Sequence, residues 1–198
     1  MNFAFNEVEL PIRISLDRPI TDDELLRLSA ENDSLRLERD ANGELIVMSP
    51  TGTGGGRVES RVYLELGIWA RKDGRGEAYG PTTGFKLPDS SVRAADAAWM
   101  SSRRWNALHV EELKRFARTC PEFVIEVRSE SDRLAPLQKK MQMWIANGAD
   151  LAWLIDPIEK SVTIYRPGGE PELLAHPTSV QGTGPIAGFE LVMSRIWE

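Results

Sequence analysis

The feature that most limits how this chain can fold is an apolar segment with an acidic residue at its centre. Residues 121–128 read Pro-Glu-Phe-Val-Ile-Glu-Val-Arg, with apolar neighbours on both sides of Glu126. A short apolar run of this kind predicts a buried strand. Burying a carboxylate is costly unless a cation, a hydrogen-bond donor or a metal ion compensates it. The functional site is therefore expected around Glu126.

Composition limits the class of protein before any motif does. A chain of 198 residues with 41% apolar content can bury one sizeable core, so we expect a single domain over residues 1–198. The formal charge of −6 means that binding a polyanion requires a local basic patch or a metal ion. One cysteine and two distant histidines exclude an intrachain disulfide and a zinc finger. With no signal peptide and no membrane-length apolar run, we expect a soluble, cytoplasmic protein without membrane contact.

Turn signals and periodicity predict three elements in the first part of the chain. Thr21 and Glu24 form a capping-box pattern that opens a short helix. Two apolar segments, 35–39 and 44–48, flank an Asn-Gly pair and predict a hairpin. After a glycine-rich connection, apolar residues recur at helical spacing up to Lys72 and predict the first long helix.

The remaining pattern predicts a mixed sheet. Strands are expected at 77–87, 94–100, 123–128, 151–155 and 162–165, a helix at 132–147 that ends at Gly148, and further segments at 172–175 and 189–196. A strand that passes through a helix to another strand implies at least one parallel pair beside antiparallel ones. The fold class is therefore α/β (α+β mixed sheet), with helices flanking the sheet.

Two carboxylates on neighbouring predicted strands are candidate metal ligands. Side chains alternate along a strand, so Asp96 and Glu126 converge if their strands are adjacent. With a backbone carbonyl such as that of Val127, they offer the hard oxygen ligands that magnesium prefers. An ion held there would neutralise phosphate charge and favour phosphodiester hydrolysis.

The cation that would assist this chemistry has two candidates. Arg128 lies two residues after Glu126 on the same predicted face, but arginine stays protonated and can only clamp a phosphate. Lys140, on the following helix, can reach back to the same pocket, and we favour it. Lys139 points roughly 100° away around the helix, so at most one of the two lysines should enter. Arg128 and Ser129 are our candidate substrate contacts.

Four motifs occur in order along the chain: Arg-Ala-Ala-Asp-Ala-Ala-Trp at 93–99, Pro-Glu-Phe-Val-Ile-Glu-Val-Arg-Ser at 121–129, Leu-Gln-Lys-Lys-Met at 137–141, and the segment from Gly148 to Pro157. Together they resemble the Uma-two family of restriction endonucleases in the PD-(D/E)xK nuclease superfamily. The resemblance implies an αβββαβ core and DNA cleavage that depends on Mg²⁺ or Mn²⁺. It implies Asp96 and Glu126 as ligands, Lys140 as the catalytic lysine, and Glu59 as a further acidic ligand. The core would span 56–165, after a helix and hairpin extension (1–50) and before a C-terminal extension (166–198).

Several alternatives stay open from the sequence. Ala95 and Glu130 stand where the family has proline, and Glu130 adds negative charge beside the expected phosphate path. A buried ion pair of Glu126 with Arg128 or Lys140 would satisfy the carboxylate without a metal. The protein would then be a catalytically silent module that binds nucleic acid or another protein. A glycoside hydrolase using the two carboxylates is a third reading.

The oligomeric state also follows from function rather than from any motif. Cutting both strands of DNA calls for two sites, so we expect a homodimer. The apolar residues Ile196 and Trp197, at the end of the chain, are candidates to bury against a partner.

Overall fold

The computed structural model describes residues 11–48 and 50–197, which fall into two units made of interleaved stretches of chain. Of the described residues, the first unit contains 11–48 and 50 together with 84–94 and 108–119. The second contains 51–83, 95–107 and 120–197. The single domain expected over 1–198 stays a prediction. No helix in the described ranges has both the length and the apolar character needed to cross a membrane.

The described residues form thirteen strands, six helices and one 3-10 turn. The elements, in chain order, are β1 (Ile12–Ile14), α1 (Asp22–Glu31), β2 (Arg36–Arg39), β3 (Leu45–Met48), α2 (Thr53–Asp73), β4 (Gly76–Tyr79), β5 (Phe85–Lys86), β6 (Val92–Arg93), β7 (Ala97–Ser101), α3 (Ser102–Asn106), α4 (Val110–Leu113), β8 (Phe123–Val127), α5 (Leu134–Ala146), β9 (Leu151–Asp156), β10 (Ser161–Tyr165), β11 (Glu172–Ala175), β12 (Ser179–Gln181), a 3-10 turn (Gly184–Ile186), β13 (Glu190–Val192) and α6 (Ser194–Trp197).

The first unit is a five-stranded antiparallel sheet in the order β1-β3-β2-β6-β5. Its hairpin β2–β3 forms as the sequence predicted, and Gly43 in the turn has φ 84°, a value that favours glycine. Helix α1 begins with the predicted capping box, because Thr21 Oγ1 accepts from the Glu24 amide and Glu24 accepts from the Thr21 amide. Leu25 of α1 is fully buried in the apolar cluster of this unit.

The second unit carries a six-stranded mixed sheet in the order β11-β10-β9-β8-β7-β4. Strands β8 and β9 are parallel and are joined through α5, whereas the other neighbouring pairs are antiparallel. The mixed sheet inferred from a strand, a helix and a second strand is therefore confirmed. All five residues of β8 are buried, as its apolar sequence predicted.

The two faces of this sheet are covered by different helices. Odd-numbered residues of β7, β8 and β9, such as Ile125, pack in one apolar cluster with Val62, Leu66 and Ala70 of α2. Side chains alternate along a strand, so Glu126 points to the opposite face. There it meets α5, which packs against β8, β9 and β10 and buries Trp144. The sheet thus places the acidic residue beneath α5.

Some element boundaries differ from the sequence expectation. The segment 77–87 divides into β4 and β5, which belong to different sheets. The strand expected from residue 94 begins at Ala97, so Asp96 lies in the bend before β7. Helix α5 begins at Leu134 instead of Asp132, because the Asp132 carboxylate accepts from the Ser129 amide and closes a turn first. Gly148 follows α5 with φ 105°, as predicted for a helix terminator.

The structure buries Ile196, whereas Trp197, the other residue expected to meet a partner chain, is only partly buried. Ile196 of α6 is 1% exposed, and Trp197 packs against the same apolar cluster as Ile125. These side chains contribute to the core of their own unit because α6 packs against α2. They therefore give no support to the expected homodimer.

Gly76 offers a test of how closely β4 and β7 approach. A Cβ at this position would lie 2.3 Å from the Met100 carbonyl oxygen and 2.6 Å from the Trp99 ring. We expect Gly76→Ala to lower the free energy of unfolding by about 1–3 kcal/mol, as overpacking does. Gly67→Ala, inside α2 with no atom within 4 Å of the added Cβ, should instead raise it by up to about 1 kcal/mol. Urea unfolding of both variants checks this, and equal effects would contradict the packing described.

Candidate active site

Glu126 lies one residue before the end of β8 and is the centre of the candidate site. Its side chain is only 3% exposed. Trp144 Nε1 donates a hydrogen bond to Glu126 Oε1 at 2.8 Å, and Lys140 Nζ lies 2.9 Å from the same oxygen. Both donors contact Oε1. The buried carboxylate is thus held by one cation and one neutral donor.

Helix α5 supplies both of these donors from one face. Lys140 and Trp144 are four residues apart, the spacing at which helical side chains are neighbours. Lys139 is exposed, whereas Lys140 is partly buried, with 17% of its side chain accessible. The structure therefore brings Lys140, and not Lys139, to the acidic residue.

Asp96 stands beside Glu126 at the start of the neighbouring strand. Strands β7 and β8 pair Ala97 with Ile125, and extending this antiparallel register by one residue sets Asp96 opposite Glu126. Asp96 Oδ2 accepts a hydrogen bond from the Val127 amide at 2.8 Å. Asp96 is 5% exposed, so both carboxylates lie in a setting with little solvent. The two acidic residues that the sequence paired are brought together.

The surroundings of Glu126 shift its ionisation. Burial raises the pKa of the Glu126 carboxyl to about 7, because the charged form loses its hydration. The positive charge and hydrogen bond of Lys140 act in the opposite direction, as does the bond from Trp144, while the negative charge of Asp96 raises the pKa further. A carboxyl group whose pKa is shifted by burial and by a neighbouring charge is typical of functional sites.

Asp96, Glu126 and the Val127 carbonyl are oxygen donors of the type that magnesium binds. Magnesium in proteins is commonly bound by one or two carboxylates, with water and substrate phosphate completing the octahedron. Within the described ranges, no group of three or more His, Cys, Asp and Glu side chains is placed to hold a metal. The donor types suit magnesium, and the role of these residues as its ligands stays a prediction.

Glu59 is the further acidic ligand expected from the family resemblance. It belongs to α2, whose buried residues face the cluster on the other side of the sheet from the Glu126 side chain. Glu59 Oε1 accepts a hydrogen bond from Thr51 Oγ1 at 2.9 Å, just before the helix begins. Its role as a metal ligand stays a prediction.

Arg128 and Ser129 have partners of their own at the end of β8. Arg128 forms an ion pair with Asp156 at 2.8 Å, and does not pair with Glu126. The Ser129 hydroxyl donates to Asp132 Oδ2 at 2.6 Å and lies 3.1 Å from the Ser131 hydroxyl. These contacts fix the turn that follows the strand. The contact of Arg128 and Ser129 with a substrate stays a prediction.

Two side chains near the site were not identified from the sequence as polar partners. Trp144 has the helical spacing of an apolar residue in α5, and its indole N–H also binds Glu126. Asp156 closes a turn by accepting from the amides of Ile158 and Glu159, and it also pairs with Arg128. The four-residue spacing of Trp144 from Lys140 was the available signal for the first.

The mixed sheet, with an aspartate before one strand, a glutamate in the next and a lysine on the crossover helix, defines a restriction-endonuclease-like α/β fold. The chain belongs to the Uma2 family, described as "Putative restriction endonuclease", whose family model matches residues 22–194. The family and fold expected from the sequence are therefore confirmed.

A solved structure shows the same fold. It is the crystal structure of a putative nuclease belonging to DUF820 from Anabaena variabilis ATCC 29413, with a TM-score of 0.72 and 20% sequence identity. The match covers 90% of this chain and 98% of that chain. No curated protein sequence matches this chain significantly. At this identity the likeness concerns the fold, so the chemistry must be argued from the site.

Proposed function

We propose that this protein is a metal-dependent endonuclease that hydrolyses phosphodiester bonds of DNA. The observation that carries the proposal is the meeting of two buried carboxylates and one lysine, which come from the bend before β7, from β8 and from α5. Membership of a family of restriction endonucleases supports the same chemistry. Cytoplasmic location and action as a homodimer on double-stranded DNA belong to the same proposal.

Asp96, Glu126 and the Val127 carbonyl would hold Mg²⁺ or Mn²⁺, with Glu59 as a further proposed ligand. When bound, the ion would supply positive charge to the phosphate and make the phosphorus more open to attack. Buried carboxylates suit this task because they are held in place by the sheet before any ligand arrives. The Val127 amide fixes Asp96, and α5 fixes Glu126.

Lys140 is the proposed catalytic cation. It remains next to Glu126 on the buried face of α5 and therefore brings a positive charge to the place where negative charge develops during hydrolysis. Its flexible stem also allows the ammonium group to orient a water molecule for attack. Arg128 and Ser129 are proposed to contact the flanking phosphate from the end of β8. Glu130, which is exposed, would weaken that contact by charge repulsion.

Metal removal gives the first test. Supercoiled plasmid is incubated with the purified protein in Mg²⁺, in Mn²⁺ and in excess chelator. We expect nicking and linearisation with either ion, none with chelator, and recovery when the ion is added back, because the carboxylates alone supply no positive charge. Asp96→Asn should remove cleavage, whereas the exposed Asp33→Asn should not. Cleavage that persists in chelator, or in Asp96→Asn, would exclude the proposed mechanism.

A silent nuclease-like module is the second candidate. It is favoured by the direct Lys140–Glu126 contact, which satisfies the buried carboxylate without any ion. In this case fluorescence anisotropy would detect binding of a labelled DNA duplex, or none at all, and the plasmid would remain intact with every metal.

A further inference from the structure

The indole of Trp144 has a polar contact that core packing alone does not require. We propose that Trp144 is a positioning residue, which fixes the orientation of the Glu126 carboxylate for metal binding. The inference rests on the proposed function, and extends it to a residue that touches neither metal nor substrate.

Trp144 differs from two other buried tryptophans in the partner of its indole N–H. Trp144, Trp99 and Trp153 all have 2% exposure or less. The Nε1 atoms of Trp99 and Trp153 are buried without a hydrogen-bond partner in the described part of the chain. The Nε1 atom of Trp144 instead lies 2.8 Å from Glu126 Oε1. This protein buries indole N–H groups without partners elsewhere, so the contact at Glu126 is a specific arrangement and no general result of burial.

The orientation of the Glu126 carboxylate depends on how firmly its donors fix the last side-chain torsion. The last torsion of glutamate is broad, so a single donor leaves the carboxylate plane free to turn. Lys140 is a point charge on a flexible stem and sets little direction. The Trp144 ring is rigid and fully buried in α5, so its N–H direction is fixed by packing. Both donors meet Oε1, and the fixed direction of the indole N–H holds the carboxylate plane in one orientation.

Trp144 can keep its contact with Glu126 throughout the proposed reaction. If Lys140 acts on the attacking water or the phosphate, it must loosen its hold on Glu126. Trp144 carries no charge and has no task at the substrate, so it remains as the donor that orients the ligand. Partners of this kind typically contribute about 10–100-fold to metal affinity or activity.

The test compares Trp144→Phe with Trp153→Phe. Each change removes one indole N–H and similar ring volume from the core, but only the first removes a donor from Glu126. Mg²⁺ affinity is measured by isothermal titration calorimetry, with the fold of each variant checked by circular dichroism. We expect binding to weaken about 10–100-fold in Trp144→Phe and to change less than about twofold in Trp153→Phe. Equal affinities in the two variants would overturn the inference.

A second measurement does not depend on a tryptophan substitution. The indole N–H resonances are recorded in ¹H–¹⁵N spectra of the wild-type protein and of Glu126→Gln. We expect the Trp144 signal to move when Mg²⁺ is added and when Glu126 is changed, while the Trp153 signal stays in place. An unmoved Trp144 signal in both cases would contradict the contact. If the wild-type protein binds no Mg²⁺ and cuts no DNA, the proposed function fails first, and the positioning role fails with it.

Discussion

Glu126→Gln is expected to reduce metal-dependent DNA cleavage by about 10³-fold, because it removes one negative charge from the ion while keeping the shape of the side chain. Glutamine can still accept from Trp144 and Lys140, so the fold should persist. The loss should lie mainly in kcat, as the transition state carries the charge that the ion neutralises. Single-turnover cleavage of an end-labelled duplex at saturating Mg²⁺ measures the effect.

Glu122→Gln is the matched control for this change. Glu122 is also buried on the segment leading into β8, where it accepts from the Ser101 hydroxyl and pairs with Arg104. It therefore reports the cost of neutralising a buried glutamate away from Lys140. We expect Glu122→Gln to affect stability and to leave cleavage per folded molecule within about twofold. Full activity in Glu126→Gln would rule out this residue as a ligand.

Lys140→Met is expected to cost about 3–5 kcal/mol of unfolding free energy, the range found when a buried ion pair loses one partner. Lys140 lowers the pKa of Glu126, so its removal raises that pKa above the wild-type value of about 7. In both proteins the folded state binds the proton more tightly than the unfolded chain, so stability falls as the pH rises towards the folded pKa. In Lys140→Met this fall continues to higher pH. The destabilisation should therefore grow as the pH rises above about 7.

The double variant separates the structural contribution of the pair from its chemistry. Glu126→Gln combined with Lys140→Met leaves no buried charge at the pair, so we expect most of the stability to return. Cleavage should remain absent. Urea unfolding of the single and double variants gives the coupling energy. Lys139→Met, on the exposed side of α5, should change stability by less than about 0.5 kcal/mol. A double variant as unstable as Lys140→Met would contradict the pairing.

Much of the fold could be predicted from local signals. A few neighbouring residues were enough to predict three features: the capping box at Thr21, the hairpin around Gly43 and the buried strand β8. The division of 77–87 between two sheets could not be read in this way, because strand partners are chosen by contacts far away in the sequence. Likewise, the helical spacing of Val62, Leu66 and Ala70 defined a buried face of α2 but not what covers it.

Two rules predicted part of the site: the alternation of side chains along a strand and the spacing of side chains around a helix. Alternation along two strands paired Asp96 with Glu126, and the 100° step of a helix distinguished Lys140 from Lys139. Tertiary contacts decided the rest. The sequence offers several acidic partners for Arg128 and does not decide among them. In the structure Arg128 pairs with Asp156, which lies at the end of the neighbouring strand β9. The indole N–H of Trp144 could not be assigned, because most buried tryptophans are read as packing residues.

The interleaved path of the chain has a consequence for any attempt to simplify this protein. Strand β6 pairs with β2 through Val92 and Arg39, although the two lie on stretches separated by all of α2 and β4. A polypeptide shortened to start at residue 51 would retain β5 and β6 but lack β1, β2 and β3. The edge of β6 that pairs with β2 would then be free to pair with another chain, and exposed strand edges of this kind promote aggregation. Limited proteolysis should accordingly yield nicked molecules that stay associated, in place of a smaller stable fragment.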